Sequence, residues 1–275
     1  DQINDFNYSV GGNITYSRFW DWEQYKPRFS NSWDEYRNSI WHRVGYVNWG
    51  YEAIGRFDSW EQIANYPVDN DRKGNRTVVP GDIMYKDQNN DGVINYLDER
   101  PIGYRVDSTP TLNFGINLSA SWKGFDLAMD WTGSGMTSWN QCYETARPFQ
   151  NDGNSPDEVL KDAWHLSDIW DANSPLIPGK YPMVRLNTDE TSAYDKSSYW
   201  LHNVTYLKLR NLEVGYTFPK TWLNRTGISN LRLFVSGTNL LTLSNLSVMD
   251  PECASDNGLD YPPMQVINIG VNLKF

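Results

Sequence analysis

Several features that mark common protein classes are missing from this sequence. It has only two cysteines and three histidines in 275 residues. Two cysteines are too few for a disulfide framework, and His42, His165 and His202 have no metal-ligand spacing. No apolar run approaches the roughly 18 residues that a membrane-spanning helix needs. Basic residues are outnumbered, and the net charge of −10 argues against nucleic-acid binding, because phosphate neutralisation needs a basic surface.

What the sequence does have is strict alternation of apolar and polar residues, most clearly in residues 264–275. The apolar members occupy every second position: Ile267, Ile269, Val271, Leu273 and Phe275. Period two over this length predicts a β-strand with one apolar and one polar face. A soluble edge strand of this kind would be an aggregation hazard, whereas in an outer-membrane β-barrel the apolar face meets lipid and the polar face lines the lumen. A strand of a soluble sandwich is the alternative.

The same alternation recurs along the chain and predicts six strands. Their expected bounds are 6–20, 111–122, 125–139, 201–218, 229–240 and 264–275. Three long connections at 21–110, 140–200 and 241–263 alternate with short ones. This asymmetry is typical of outer-membrane barrels, which have long extracellular loops and short periplasmic turns.

Within the fourth predicted strand the apolar positions change phase. Leu207 and Leu209 are odd-numbered, while Leu212 and Val214 are even-numbered. Either a β-bulge lies near residues 210–211, or the upper half of the strand projects beyond the membrane.

Aromatic residues form 15% of the chain and concentrate near the predicted strand ends. We expect two aromatic belts at the two membrane interfaces. One belt comprises Trp122, Phe125, Phe218 and Phe275, and the other comprises Trp20, Trp139 and Trp200. Tryptophans in the predicted loops either contact substrate or a partner lipoprotein, or only pack the loops together: Trp33, Trp41, Trp49, Trp164, Trp170 and Trp200.

One loop motif predicts a Ca²⁺ site. Oxygen-bearing residues at positions 1, 3, 5, 7 and 12 of an EF-hand-like loop are supplied by Asp87, Asn89, Asp91, the Val93 carbonyl and Asp98. Asp at position 12 reaches less far than the usual Glu, and the alternative is a plain Asn-Asp-Gly turn. No nucleophilic triad or distinct carboxylate pair is present, so we do not expect an enzyme. Cys142 and Cys253 both fall in predicted extracellular loops, where a disulfide is permitted.

Several motifs resemble the C-terminal part of the SusC/RagA-type TonB-dependent outer-membrane transporters of Bacteroidetes. They are PGDIMYKD at 80–87 with NNDGVIN at 89–95, WKGFDL at 122–127, LKLRNL at 207–212 with GYTFP at 215–219, ISNLR at 228–232 with SGTNL at 236–240, and NLKF at 272–275. The resemblance implies an all-β fold, in which this chain supplies about six C-terminal strands of a 22-stranded antiparallel transmembrane barrel. It also implies a longer protein, whose plug, TonB-contacting segment and remaining barrel lie N-terminal to this chain.

The function implied by this resemblance is import of an oligosaccharide or peptide across the bacterial outer membrane. Its expected partners are a SusD-like surface lipoprotein, the TonB complex, the rest of the same transporter and outer-membrane lipid. The competing hypothesis is a secreted, soluble β-rich module that binds carbohydrate or hydrolyses glycosides, since aromatic loops suit either function.

Overall fold

The computed structural model describes residues 2–3, 5–23, 25, 27–45, 47–104, 110–186, 190–224, 227–253 and 257–275. Its strands are β1 (Gln2–Ile3), β2 (Phe6–Tyr16), β3 (Trp20–Asp21), β4 (Arg43–Val44), β5 (Asn48–Gly50), β6 (Ala53–Arg56), β7 (Ile83–Tyr85), β8 (Arg100–Gly103), β9 (Leu112–Trp122), β10 (Phe125–Asn140), β11 (His165–Leu166), β12 (Leu176–Ile177), β13 (Leu201–Thr217), β14 (Asn230–Ser244) and β15 (Val266–Lys274). The α-helices are α1 (Ser32–Asn38), α2 (Trp60–Ala64), α3 (Asp157–Lys161) and α4 (Lys220–Leu223). Single 3₁₀ turns lie at Tyr96–Asp98, Tyr143–Thr145, Gln150–Asp152 and Ser192–Tyr194. In the described part of the chain, no helix has the length and apolar character needed to cross a membrane.

One antiparallel sheet dominates the structure, with strand order β1-β2-β9-β10-β13-β14-β15. Its six long strands, of 9 to 17 residues, follow one another in chain order. The turn between β9 and β10 is Lys123–Gly124, where φ is +46° and +89°. Two positive φ values are what a type I′ hairpin turn requires, and this turn fixes the register of the two strands. The sheet is open in the described residues, because β15 pairs only with β14.

The two faces of the sheet differ sharply in chemistry. Phe6, Leu118, Leu127, Val214 and Val271 belong to the apolar face, because they occupy the same alternating rows of the paired strands. Many members of this face are more than 36% exposed: Val10, Ile14, Ile116, Val214, Leu233, Val235, Ile267, Ile269 and Val271. So large an exposed apolar surface requires a covering medium or partner.

A β-bulge at Arg210 keeps this division of faces intact. Leu209 pairs with Trp131, but the next paired residue is Asn211, opposite Asp130. The extra residue shifts the alternation by one, so that Leu207 and Leu212 both lie on the apolar face. Of the two alternatives that the phase change left open, the bulge is confirmed.

Close packing between strands requires a glycine at position 133 of β10. A Cβ atom there would lie 2.2 Å from Cζ of Phe114 on β9 and 2.7 Å from the backbone oxygen of Tyr206 on β13. The Phe114 ring therefore lies over Gly133 and fills the space that a side chain at position 133 would occupy.

The first two long loops fold together above one end of the sheet. Residues 47–104, 140–186 and 190–200, here called the loop domain, share one core. Its buried members are Tyr51, Ile83, Tyr85, Ile94, Ala146, Val159, Ala163, Tyr181, Ala193, Tyr194 and Trp200. The Tyr51 amide donates to the Lys196 carbonyl at 2.9 Å, and the Ser198 amide donates to the Tyr51 carbonyl at 2.9 Å. These bonds join the two loops through their backbones.

Candidate functional site

The polar face of the sheet carries a paired network of charges. Arg232 Nε donates to Asp126 Oδ1 at 3.1 Å, and Arg232 Nη2 donates to Glu213 Oε1 at 2.6 Å. Asn117 Nδ2 donates to Asp130 Oδ1 at 2.7 Å. These residues come from four neighbouring strands, so the face is a continuous hydrophilic wall. A wall of this kind suits a water-filled lumen, because charged groups left in an apolar environment are costly.

Higher on the same face, the connection between β14 and β15 folds against the wall. Residues 246–253, here called the strap, bring two carboxylates to β13. Lys208 Nζ lies 2.9 Å from Asp250 Oδ2 and 2.9 Å from Glu252 Oε2, and the Lys208 side chain is only 1% exposed. Arg210 Nη2 also pairs with Glu252. Burial raises the pKa of Glu252, but hydrogen bonds from Arg210 and Lys208 lower it more, so the net shift is downward.

A cleft between α1 and the loop domain collects charges of both signs. Its volume is about 410 Å³, and its wall includes Arg37, Trp49, Arg72, Glu99 and Asp195. Arg37 lies 2.9 Å from Glu99, and Arg72 lies 2.6 Å from Asp195. Burial raises the pKa of Asp195, although Arg72 opposes the shift. Arginine–carboxylate pairs beside an aromatic ring can present hydrogen-bonding groups to a polar ligand.

The six loop tryptophans do not form one binding surface. Trp49, Trp164 and Trp200 are buried at 8%, 8% and 2% exposure. Trp33 is half-buried and packs edge-on to Trp49, with ring centroids 6.3 Å apart. Trp41 and Trp170 are exposed, at 63% and 90%. The buried members pack the loops, which leaves Trp41 and Trp170 available for contact with another molecule.

Only one of the two predicted aromatic belts has the expected form. Trp122, Phe125 and Phe275 are more than half exposed at the hairpin end of the sheet, while the fourth member, Phe218, is half-buried against Tyr216 and Trp222. At the opposite end Trp20 is exposed, but Trp139 and Trp200 are 4% and 2% exposed. The interpretation of these two tryptophans as interfacial anchors was wrong. Trp139 is covered by Val204 and Leu246, and Trp200 lies in the loop-domain core.

The closing strand presents its apolar side chains to the outside, as the alternation predicts. Exposure is 69% for Ile267, 84% for Ile269, 54% for Val271, 51% for Leu273 and 85% for Phe275. Its register to β14 is continuous from Val266 to Lys274. The role of these five residues in closing the barrel stays a prediction.

The predicted Ca²⁺ loop is a tightly hydrogen-bonded turn. Asp87 Oδ2 accepts from the Gly92 amide at 2.8 Å, and Asp91 Oδ1 accepts from the Val93 amide at 2.9 Å. Asn89 Nδ2 donates to Asp91 Oδ2 at 2.8 Å. Asp98 is fully buried, and its two oxygens accept from the amides of Gln88 and Asn95, both at 2.8 Å.

These contacts allow a test of whether the loop fits a cation. Among the described residues, no three His, Cys, Asp or Glu side chains are grouped so as to hold a metal ion. A Ca²⁺ site here would therefore depend on the Asn89 amide and Val93 carbonyl oxygens as well as on the carboxylates. The turn already brings Asp87, Asn89 and Asp91 together, whereas both oxygens of the buried Asp98 accept from backbone amides.

Cys142 and Cys253 are both thiols in the structure, with no disulfide between them. Burial raises the pKa of the Cys253 thiol. The disulfide that their loop positions permit is not formed.

Sequence patterns did not identify the strap contacts or the charged cleft. Lys208 and Arg210 occupy polar-face positions of a strand, which could have indicated a lumen-facing site. Asp250 and Glu252 lie in an irregular connection, and nothing in their spacing indicates which strand they contact.

Comparisons with known proteins agree with this architecture. No family model matches the sequence. TonB-dependent receptor P3 of Formosa agariphila is 30% identical over 242 residues, which cover 82% of this chain and 22% of the receptor. TonB-dependent receptor SusC of Bacteroides thetaiotaomicron is 24% identical over 252 residues, which cover 85% of this chain and 20% of SusC. The chain therefore spans about a fifth of the length of the curated relatives that it matches.

Solved structures show the same fold. The RagAB peptide importer in its open-open state matches with a TM-score of 0.60 and 22% identity, over 100% of this chain and 27% of the importer chain. Its closed-closed state matches with a TM-score of 0.62 and 20% identity, over 100% of this chain and 28% of the importer chain. The resemblance inferred from the motifs is confirmed, and so is the fold class: an antiparallel segment of a TonB-dependent transporter barrel, which the described residues do not close.

Proposed function

We propose that this chain, which is similar to part of the SusC-like TonB-dependent receptors, forms one wall and one loop domain of an active nutrient importer in the bacterial outer membrane. The observation that carries the proposal is the two-faced sheet. One face is apolar and exposed, and the other bears hydrogen-bonded charges such as Arg232 with Asp126 and Glu213. Lipid on one side and a polar lumen on the other satisfy both faces at once.

Strand length supports the membrane assignment. β2 and β9 each have 11 residues. At a rise of about 3.4 Å per residue and a tilt of about 40°, such a strand spans roughly 26 Å, close to the apolar band of an outer-membrane barrel.

The open edges imply that the rest of the transporter completes the barrel. The backbone groups at the outer edge of β15 need hydrogen-bond partners in lipid, because no water is present there. We propose that strands of the remaining N-terminal barrel pair with the outer edge of β15 and with the outer edge of β2 beyond Phe6 and Asn7, where β1 already pairs. A plug and a TonB-contacting segment would belong to that same missing part.

Oligosaccharide or peptide is the proposed substrate class, and a SusD-like lipoprotein is the proposed partner at the cell surface. RagAB is named as a peptide importer, and SusC is a TonB-dependent receptor. In this arrangement the loop domain lies outside the cell, where Trp41, Trp170 and the cleft beside Arg37 and Arg72 can meet substrate or lipoprotein. Transport needs no catalytic residue, and the matched relatives are named as receptors or importers.

We also propose that Asp87, Asn89, Asp91, Val93 and Asp98 bind Ca²⁺ and thereby order this part of the loop domain. Ca²⁺ would supply a positive charge among oxygen ligands at about 2.3–2.6 Å. Calorimetric titration of the purified full-length transporter should show one Ca²⁺ site, which is lost in the Asp91→Ala variant and retained in Asp171→Ala, an exposed control. Equal Ca²⁺ binding by both variants would contradict the site.

Fractionation of cells that produce the full-length transporter tests the main proposal. The protein should appear in the detergent-extracted outer membrane, and its deletion should abolish growth on one oligosaccharide or peptide source. A soluble, monomeric product that melts cooperatively from this 275-residue chain alone would instead favour the secreted carbohydrate-binding or glycoside-hydrolysing module.

A further inference from the structure

Three donors on the polar face of β13 converge on one point. Tyr206 and Lys208 are two positions apart in β13, so their side chains share a face of the strand. Arg210 is the bulge residue, and its guanidinium reaches the same face, where it contacts Thr132 and Glu252. Together they supply a hydroxyl, an ammonium and a guanidinium group, which is a donor set suited to an oxyanion.

The strap fills this donor set with its own carboxylates. Glu252 Oε2 lies 2.9 Å from Lys208 Nζ, and Glu252 Oε1 accepts from the Tyr206 hydroxyl at 3.2 Å and from Arg210. Asp250 gives Lys208 two further oxygens, at 3.1 and 2.9 Å. Two further side chains position the Arg210 guanidinium: its Nη1 donates to Asn239 Oδ1 at 2.8 Å, and its Nη2 donates to Thr132 Oγ1 at 3.4 Å.

The Lys208 ammonium group is buried, and its stability there depends on an anionic partner. Lys208 is 1% exposed, whereas Asp250 and Glu252 are 16% and 18% exposed. An ammonium group buried to this extent is strongly destabilising when it loses its anionic partners. With the strap in place the buried Lys208 ammonium therefore needs negative charge beside it, and the partly exposed strap carboxylates are where a group in the lumen can approach.

We infer that Tyr206, Lys208 and Arg210 form a luminal binding site for a carboxylate or sulfate group of the transported substrate, which Asp250 and Glu252 occupy as an internal stand-in. The inference rests on the proposed transport function, because it assumes that this face lines the substrate path. Displacement of the strap by the substrate anion exchanges one set of charge-assisted hydrogen bonds for another. The buried ammonium group then stays paired throughout.

The packing that tethers the strap determines how strongly its carboxylates compete with a substrate anion for Tyr206, Lys208 and Arg210. Val248 and Met249 pack against the Trp139 and Val204 cluster, which keeps the acidic end close to β13. A tethered group of this kind has an effective concentration in the millimolar range. Neutralising its charges should free the site, and the apparent affinity for an anionic ligand should rise as the competent fraction rises.

The experiment uses the full-length transporter in detergent, with tri-glutamate and tri-galacturonate as carboxylate probes from two sources. Tri-glutamine and maltotriose are the neutral controls. In Asp250→Asn/Glu252→Gln, binding of at least one acidic probe should tighten about tenfold or more, while neutral probes are unaffected. Adding Lys208→Gln and Arg210→Gln should remove the gain. Asp168→Asn/Asp171→Asn, which neutralises two exposed acids of the loop domain, is the matched control and should bind like the parent.

Folding of each variant is checked by heat-modifiable electrophoretic mobility. Glu252→Gln alone leaves Asp250 on Lys208, so it tests the inference even if the double variant does not assemble, with a smaller gain of about threefold expected. Unchanged affinity for both acidic probes in every folded variant would overturn the inference, as would a gain that survives loss of Lys208 and Arg210. Normal outer-membrane residence and import in that case would leave the proposed function standing. Absence of both in the parent protein would contradict the proposed function itself.

Discussion

Replacing Trp200 by alanine should unfold the loop domain and leave the barrel wall intact. Trp200 is the largest fully buried side chain, at 2% exposure. Its ring packs against Tyr194 at 5.6 Å and Tyr199 at 4.8 Å between centroids, and its Nε1 donates to the Ala193 carbonyl at 2.8 Å. The substitution removes contacts with both loops, because Tyr51 and Ile83 of the first loop share this core.

The expected cost follows from burial and from the lost hydrogen bond. A tryptophan buries roughly 200 Å², which corresponds to about 5 kcal/mol at 25 cal/mol per Å² before relaxation. Measured tryptophan-to-alanine changes cluster at about 3–5 kcal/mol, and the Ala193 carbonyl loses a partner worth about 1 kcal/mol. A loss of about 4 kcal/mol raises the population of opened loops roughly a thousandfold.

Limited proteolysis of the purified full-length transporter measures this population. Cleavage within residues 140–200 should accelerate by about three orders of magnitude when opening is fast relative to cleavage. Heat-modifiable mobility should stay unchanged, because the sheet itself is not altered. Trp170→Ala is the control, since Trp170 is 90% exposed and its loss should cost less than about 0.5 kcal/mol. Equal cleavage of the two variants, with substrate affinity lost only in Trp200→Ala, would show that Trp200 binds ligand and would refute the packing argument.

Three further predictions concern other parts of the chain. Gly133→Val should lower the fraction of heat-modifiable, assembled protein by crowding Phe114 and the neighbouring strand. The control is Gly11→Val in β2, where an added Cβ would meet only the Asn117 Cβ at 4.0 Å and assembly should be nearly unchanged; equal losses in the two variants would contradict the packing argument. The Asp71 carboxylate should stabilise the loop domain above about pH 4 and lose that contribution as pH falls from about 4 to 2. Although burial raises its pKa, the pKa is lowered to about 2, because the Thr77, Lys73 and Asn75 amides and the Thr77 hydroxyl donate to the carboxylate. The difference in loop proteolysis between the parent and Asp71→Ala should shrink over that pH interval, and a constant difference would contradict the prediction. Phe275→Asp should make barrel assembly less favourable by about 1 kcal/mol, because it places a charge at the membrane interface. The folded fraction is compared with that of Phe275→Tyr, and equal folded fractions would argue against a lipid-facing terminus.

The alternating pattern by itself determined that six long strands form the sheet and which face most of their residues occupy. Side chains in a strand alternate through the local backbone geometry, so a period of two in the sequence fixes the two faces without reference to distant residues. Even the bulge at Arg210 was indicated, because Leu209 and Leu212 could not share a face without an extra residue between them. The predicted first strand was too long, since the chain leaves the sheet after Tyr16 and Trp20 pairs instead with Val44. The predicted fifth strand, 229–240, was too short, since β14 continues to Ser244 and residues 241–244 pair with β13.

Only the tertiary structure decided what the loops do. Trp170 and Trp200 have equivalent positions in the sequence argument, yet one is 90% exposed and the other 2%. The difference arises because Trp200 meets a core assembled from two loops that are far apart in the chain. Lys208 likewise finds Asp250 and Glu252 more than 40 residues away. Irregular segments have no period that restricts which surface they contact, so long-range packing alone selects their partners.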